Sequence, residues 1–293
     1  MSHKVAVVTG SNKGIGFGIV RELCKRGLRY VYLTARDEQR GKQAVETLNK
    51  EGFTPLFHQL DVTDEISVET FSHYLKQTHG GLDILINNAG IVNENLLETT
   101  YEDSVRVLNA NYYSILTIEK HIYPILKDNA RVINMSSRSG HISYLKNTYW
   151  IDRLMTENIV HEDIDAFVNW YLNSVKNGTL NEKDFEEMPM LGYRISKIAV
   201  SALTRVQQKE VGRGISVNSL HPGFVKTDMT NRAGYLTIDE ASDAPVYLAL
   251  DIDQSVKGKH FWFDKTEKEW ADANQKLYRK FEELVKCMSE VNK

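Results

Sequence analysis

Val5-Ala6-Val7-Val8-Thr9-Gly10-Ser11-Asn12-Lys13-Gly14-Ile15-Gly16 decides the fold: four apolar residues run into a glycine-rich turn, and a segment bearing Ile19, Val20 and Leu23 comes next. The first part reads as a buried strand and the last as an amphipathic helix. Glycines let the backbone turn tightly, and the new helix points unpaired amides outward, an arrangement suited to a pyrophosphate. The spacing is Gly-x-x-x-Gly-x-Gly, which departs from the general Gly-x-Gly-x-x-Gly fingerprint. The competing reading is a strand-to-helix turn without a ligand.

The same alternation continues. Short β-branched runs at 5–8, 30–33, 56–60, 82–86, 131–135 and 215–220 are separated by longer helical patterns. Strands spaced in this way need crossover helices. The expectation is a single Rossmann-type α/β domain over 1–293, a doubly wound parallel sheet with a helical insertion. Ligands of such sheets bind at the carboxyl ends of the strands.

Thirty-six basic against 39 acidic side chains give a formal net charge of -3, with no basic block to suggest nucleic acid or an anionic membrane. Cys24 and Cys287 form no metal-like or redox-like pair and read as buried free thiols. The scattered histidines offer no metal-ligand spacing, so no metal is expected. Met-Ser-His-Lys runs straight into the first strand, without a signal or membrane segment, and a cytoplasmic protein is expected.

The loops after the strands define the expected site. The second strand ends Thr34-Ala35-Arg36-Asp37. A carboxylate there suits the ribose of NAD, whereas a basic group suits a 2′-phosphate. Arg36, with Lys13 converging from the glycine loop, favours NADPH, and Asp37 is the residue that speaks for NADH. Asp61-Val62 comes after the third strand, with Asp61 placed to accept from an adenine amino group. Asn87-Asn88-Ala89-Gly90 comes after the fourth, and the small Ala89-Gly90 pair lets the backbone approach a sugar. Ser136-Ser137 ends the fifth, where a hydroxyl could meet a substrate carbonyl oxygen or simply cap a turn. His221-Pro222-Gly223-Phe224-Val225-Lys226-Thr227 closes the sixth.

Two Tyr-x-x-x-Lys strings, Tyr123/Lys127 and Tyr193/Lys197, could each place a phenol and an ammonium on one helix face. A neighbouring cation favours the phenolate, which makes either pair a proton-transfer candidate. Spacing alone leaves both open.

Thr9-Gly10-x3-Gly14-x-Gly16, Asn87-Asn88-Ala89-Gly90, Ser137, Tyr193-x3-Lys197 and Pro222-Gly223-x3-Thr227 stand in the order seen in the short-chain dehydrogenase/reductase superfamily. Within it the chain most resembles the monomeric, NADPH-dependent carbonyl reductases, through residues 9–16, 33–37, 57–61 and 244–250. The resemblance selects Tyr193 and Lys197 over Tyr123 and Lys127, and Ser137 over Ser136. It adds Asn111 as support for a water-linked proton path. It implies NADPH held by Gly10, Asn12, Lys13, Gly14, Ile15, Gly16, Arg36, Asp61, Val62, Asn88, Ala89, Gly90, Tyr193, Lys197, Pro222, Gly223, Val225 and Thr227. Ser137, Tyr193 and Phe224 would contact the substrate, and Lys197 would lower the Tyr193 pKa.

Tyr193 stands 56 positions after Ser137, farther than is usual in the superfamily. Ile151, Leu154, Met155, Ile164, Phe167, Val168, Tyr171 and Val175 recur at helical spacing, so an insertion over about 141–190 reads as two amphipathic helices. In the resembling reductases such an insertion covers the oligomer-forming face, which implies a monomer. A helical extension is expected over about 266–293, opened by a Thr266-x-x-Glu269 capping box and carrying a stripe from Trp270 to Met288. The implied activity is reduction of ketones, aldehydes or quinones to alcohols, with Tyr193 as general acid. Reduction of one hydroxysteroid, prostaglandin or pterin, or a non-catalytic NADPH-sensing role, are the alternatives.

Overall fold

The computed structural model describes residues 2–271. Strand β1 (Ser2–Val8) leads through the glycine loop into helix α1 (Gly14–Lys25), and β2 (Leu28–Ala35) leads into α2 (Glu38–Lys50). The alternation continues with β3 (Leu56–Gln59), α3 (Glu65–His79), β4 (Leu82–Asn87), α4 (Tyr101–Leu108) and α5 (Ser114–Ile122). β5 (Leu126–Met135) precedes the short α6 (Thr148–Met155), the 16-residue α7 (His161–Lys176) and then the 20-residue α8 (Leu191–Glu210). β6 (Ser216–His221), α9 (Ile238–Leu250), β7 (His260–Trp262) and β8 (Glu267–Lys268) complete the described chain.

The strand order is β3-β2-β1-β4-β5-β6-β7-β8, and every pairing is parallel except β7 with β8. Reversal of direction beside β1 makes the doubly wound sheet expected from the alternation. Ile19, Val20 and Leu23 of α1 and Ala244 and Leu248 of α9 are buried with Val8, Leu33 and Ile86 of the sheet. Phe71 and Leu75 of α3 are buried with Val7, Leu85 and Val132 in a second core. β7 and β8 have no counterpart among the expected strands, being only three and two residues long.

Helices α6 and α7 bury Trp150, Leu154, Ile164, Phe167 and Tyr171 in a third core with Ile195, Ala199 and Leu203 of α8. Tyr171 also reaches α4, its hydroxyl 2.8 Å from Ser104 Oγ. A polar latch joins the start of α7 to two neighbours: His161 Nε2 lies 3.6 Å from Glu119 of α5 and 3.2 Å from Glu210 of α8.

The helix expected from Thr266 does not begin there. Thr266 N and Oγ1 both bond Asp264 Oδ1, at 3.1 and 2.6 Å, and Glu267–Lys268 turns back along β7. The rest of the expected stripe, from Ala273 to Met288, and Cys287 lie outside the described residues. Cys24 is a half-buried free thiol whose pKa burial raises to about 11, which keeps it in the unreactive thiol form. Among the described residues no helix is long and apolar enough to cross a membrane.

Candidate active site

The glycine loop is held from outside itself. Gly10 turns at φ 59°, and a Cβ there would lie 2.9 Å from Ala89 Cα, so the loop after β4 packs directly on it. Thr9 Oγ1 accepts from the backbone N–H of Asn88 and Ala89, at 3.0 and 2.9 Å, and Asn88 Nδ2 donates to Thr9 O at 2.8 Å. A Cβ at Gly16 would meet that same Nδ2 at 2.4 Å. Asn88 therefore shapes the cradle. Helix α1 begins with no side-chain cap and no acidic residue in its first turn, unlike α2, α3, α4 and α9. Its leading amides, at Gly14, Ile15 and Gly16, are left for an anion. The cradle fits a pyrophosphate.

At the end of β2, Arg36 is exposed, and Asp37 caps α2 by accepting from Arg40 N at 2.9 Å. The one residue that argued for NADH is thus engaged in its own helix. Lys13 does not converge on Arg36 in this structure. Its Nζ lies 2.9 Å from Asp228 Oδ2, where the loop after β6 offers a nearer counter-charge. Both partners are more than half exposed, so the pair is worth at most about 1 kcal/mol and opens readily. Asp61 Oδ1 is taken up by Thr63 N and Oγ1, at 2.9 and 2.7 Å, while Val62 is buried. Asn12 and Ala89 sit half-buried on either side of Gly10.

Helix α8 brings Tyr193 and Lys197 onto one face, with Lys197 Nζ 5.7 Å from the Tyr193 ring centre. Lys197 Nζ donates to Met135 O, the last carbonyl of β5, at 2.7 Å. Ser137 stands two residues later and hydrogen-bonds the Tyr193 hydroxyl, while its Oγ accepts from Ser139 N at 3.1 Å. The neighbouring Ser136 is different. It is buried, 2.7 Å from Ser201 Oγ and 3.2 Å from Lys197 O, and fastens β5 to α8. Asn111 lies in a π-helical turn, Asn109–Tyr113, between α4 and α5. Its side chain accepts from Ile91 N at 2.8 Å and donates to Ile91 O and Ser196 Oγ at 2.9 and 3.0 Å. A Cβ at Gly90 would lie 3.2 Å from Asn111 Oδ1 and 3.6 Å from Lys197 Nζ, so these three residues meet.

Burial lowers the Lys197 pKa to about 8. Burial also raises that of Tyr193, against the Ser137 hydrogen bond and the charge of Arg194. The expected depression of the tyrosine by Lys197 is not found: a buried site penalises phenolate and ammonium alike.

Beyond β6, Gly223 turns at φ 88°, and Val225 is buried and bridged to Leu236. Thr230 Oγ1 donates to Val225 O at 2.6 Å, and Thr227 stands immediately before a short 3-10 turn, Asp228–Thr230. Phe224 is half-buried, its ring 6.3 Å from Tyr235. Pro222, Phe224 and Thr227 are all partly open to solvent.

One residue escaped the sequence reading. Asn93 Oδ1 accepts from Tyr193 N at 3.0 Å, and its Nδ2 donates to Asp103 Oδ2 at 2.8 Å. It caps α8 from the loop after β4, because Met190, the residue before the helix, provides no side-chain cap. With donor and acceptor 100 positions apart, no local pattern signals it.

The sequence model described as short chain dehydrogenase matches residues 4–149 and 185–235, leaving out most of α6 and α7. The chain is 39% identical over 274 residues to (+)-neomenthol dehydrogenase of Arabidopsis thaliana, covering 84% of this chain and 91% of that protein. It is 36% identical over 278 residues to carbonyl reductase [NADPH] 1 of Bos taurus, covering 92% and 99%. Among solved structures, salutaridine reductase from Papaver somniferum superposes with a TM-score of 0.81 at 30% identity, over 88% of this chain and 99% of that one.

Proposed function

The chain belongs to the short chain dehydrogenase family, and we propose that it reduces ketones, aldehydes or quinones to alcohols with NADPH. The observation that carries this reading is the meeting of Ser137, Tyr193, Lys197 and Asn111 at one sheet edge, beside an uncapped helix α1. The leading amides of α1 and residues Gly10 and Asn12 would hold the pyrophosphate. Arg36, joined by Lys13 once it leaves Asp228, would take the 2′-phosphate, and Asp61 and Val62 would border the adenine. Asn88, Ala89, Gly90, Tyr193 and Lys197 would surround the nicotinamide ribose, and Pro222, Gly223, Val225 and Thr227 the carboxamide. When bound, the cofactor supplies the hydride.

The protein's own part is proton handling and charge stabilisation. A carbonyl oxygen held between the Ser137 and Tyr193 hydroxyls gains negative charge as it is reduced, and two preplaced donors meet it. The raised Tyr193 pKa keeps that hydroxyl protonated until the oxygen demands the proton, as a general acid requires. Lys197, mostly charged at neutral pH, then stabilises the phenolate. Asn111 holds the Ile91 backbone beside this pair and supports re-protonation from solvent.

A monomer is the accompanying reading, supported by the apolar stripes of α6 and α7 that α8 already buries, and a cytoplasmic location is proposed with it. A dimer mass by light scattering would refute the monomer. NADPH oxidation measured over a panel of ketones, aldehydes and quinones tests the activity. Arg36→Ala should raise KM for NADPH at least about tenfold and leave that for NADH little changed, as expected for one lost charge-assisted contact. Absence of turnover across the panel would sink the reading.

A further inference from the structure

Three helices meet at the amino edge of the sheet, opposite the proposed active site. α5 brings Glu119 in its last turn, α8 ends on Glu210, and α7 opens with His161. His161 Nε2 lies 3.6 Å from Glu119 Oε1 and 3.2 Å from Glu210 Oε2, and the three groups offer ligand atoms that all fall within 4.8 Å of one another. Among the described residues no other three His, Cys, Asp or Glu side chains converge in this way. No spacing along the chain signals the trio, because each member comes from a different helix.

The separations are those of a coordination shell. Around a tetrahedral cation with ligands at about 2.0–2.2 Å, neighbouring ligand atoms stand about 3.3–3.6 Å apart. A triangle with the observed separations as its sides has its centre about 2.4 Å from each corner, so shifts of about 0.3 Å would close it on a metal. Charge points the same way. Among the described residues neither carboxylate has a Lys or Arg partner: Glu119 bonds His161 and Gln207, and Glu210 bonds His161. Arg213 borders them, but its guanidinium donates to the carbonyl oxygens of Tyr123 and Leu126. The carbonyl ends of α5 and α8 also favour a cation here.

Glu119 is held from behind, which an ordinary surface ion pair is not. Gln207 is wholly buried; its Nε2 donates to Glu119 Oε2 at 2.8 Å, and its Oε1 accepts from Asn134 Nδ2 at 2.8 Å. One carboxylate oxygen is thereby fixed and the other is aimed at His161. Metal-binding carboxylates are oriented by hydrogen bonds of this kind. A cleft of about 250 Å³, lined by Glu119, Gln207, Glu210 and Arg213 among others, admits water to the two carboxylates and leaves a further ligand position open.

We propose that Glu119, His161 and Glu210 form a divalent-cation site for zinc, which clamps the inserted helix α7 to α5 and α8. An imidazole beside two carboxylates suits zinc better than magnesium or calcium, which take oxygen ligands. In the metal-free protein a proton on His161 supplies the charge between the carboxylates. Zinc takes its place at Nε2, and the proton leaves to solvent. The site lies at the other edge of the sheet from Tyr193, so the inference does not depend on the proposed reduction.

The test is calorimetric titration of zinc chloride into the full chain after EDTA treatment and dialysis. Wild type should bind one equivalent, and His161→Gln and the exposed Glu210→Gln should each weaken it at least about tenfold. Zinc at ten times its Kd should raise the wild-type Tm by about 2–5 °C, reversibly with EDTA, and at that concentration should raise neither variant's Tm by more than about 1 °C. Each rise compares one protein with and without zinc, so loss of the proton-held latch does not enter it. No binding to wild type would overturn the proposal. So would an equivalent that both variants keep at unchanged affinity, since zinc would then sit on other surface groups.

Discussion

Two parts of this molecule carry the same four-residue spacing and do opposite things. Tyr193 and Lys197 sit on one unbroken helix, one turn apart, at the carboxyl edge of the sheet. Tyr123 begins a three-residue 3-10 turn with Pro124 inside it, and Lys127 already belongs to β5, at the amino edge. Lys127 bonds Asp83 at 2.9 Å, and the Tyr123 hydroxyl is buried without a partner. Burial, then the charge of Glu119, push that phenol well above its ordinary pKa. Spacing proposes a pair, and only a continuous helix makes one.

The widest separation should come from removing each hydroxyl in turn. Tyr193→Phe should cost about 10²- to 10⁴-fold in turnover while NADPH still binds. Tyr123→Phe should leave turnover within about twofold and stability equal or slightly higher, since it deletes an unsatisfied buried polar atom. Steady-state kinetics and thermal melts of the two variants read both halves. Equal losses would erase the distinction.

A smaller effect should come from Asn93, which fastens the first turn of α8. Asn93→Ala frees one amide at the helix start, a loss of about 1 kcal/mol of local order. We expect kcat to fall roughly tenfold with KM for NADPH little altered, and Asn93→Ser to recover part of it. A fall confined to KM for NADPH would show that Asn93 serves the cofactor rather than the tyrosine.

The smallest effect should come from the amino-edge region, where Glu119, His161 and Glu210 latch the insertion to the body. Glu119 first, then Glu210, raise His161 to about 9 against the opposing effect of burial. A pKa raised on folding contributes stability that is complete below about 6.5 and lost as pH climbs through 9. His161→Gln should therefore lower Tm by about 1–3 °C at pH 6 and by nothing measurable at pH 10. A Tm difference that grew with pH would contradict the latch.

The sequence was most readable where function and backbone pattern coincide. All six expected strands form, and the turns after them lie on one edge, because period and turn chemistry are local properties. What it concealed was set by distant neighbours. Asn93 answers a helix 100 positions away, Lys13 takes a counter-charge from Asp228, and the Tyr193 pKa tracks burial rather than the lysine four residues on. The Thr266-x-x-Glu269 string suits a hairpin turn as well as a helix start, and here Thr266 closes the turn into β8. In the hairpin, Asp264 supplies the acceptor.

The 56-position separation of Ser137 and Tyr193 also has a meaning in chain entropy. Closing a loop of that length costs only about 1.2 kcal/mol more than closing one a quarter as long, two doublings at about 0.6 each. Complete burial of Phe167 alone, worth about 1.5–3 kcal/mol, exceeds that closure term. The two hydroxyls can therefore stand far apart in the chain at little cost, and the length of the connection is free to vary so long as it brings its own core.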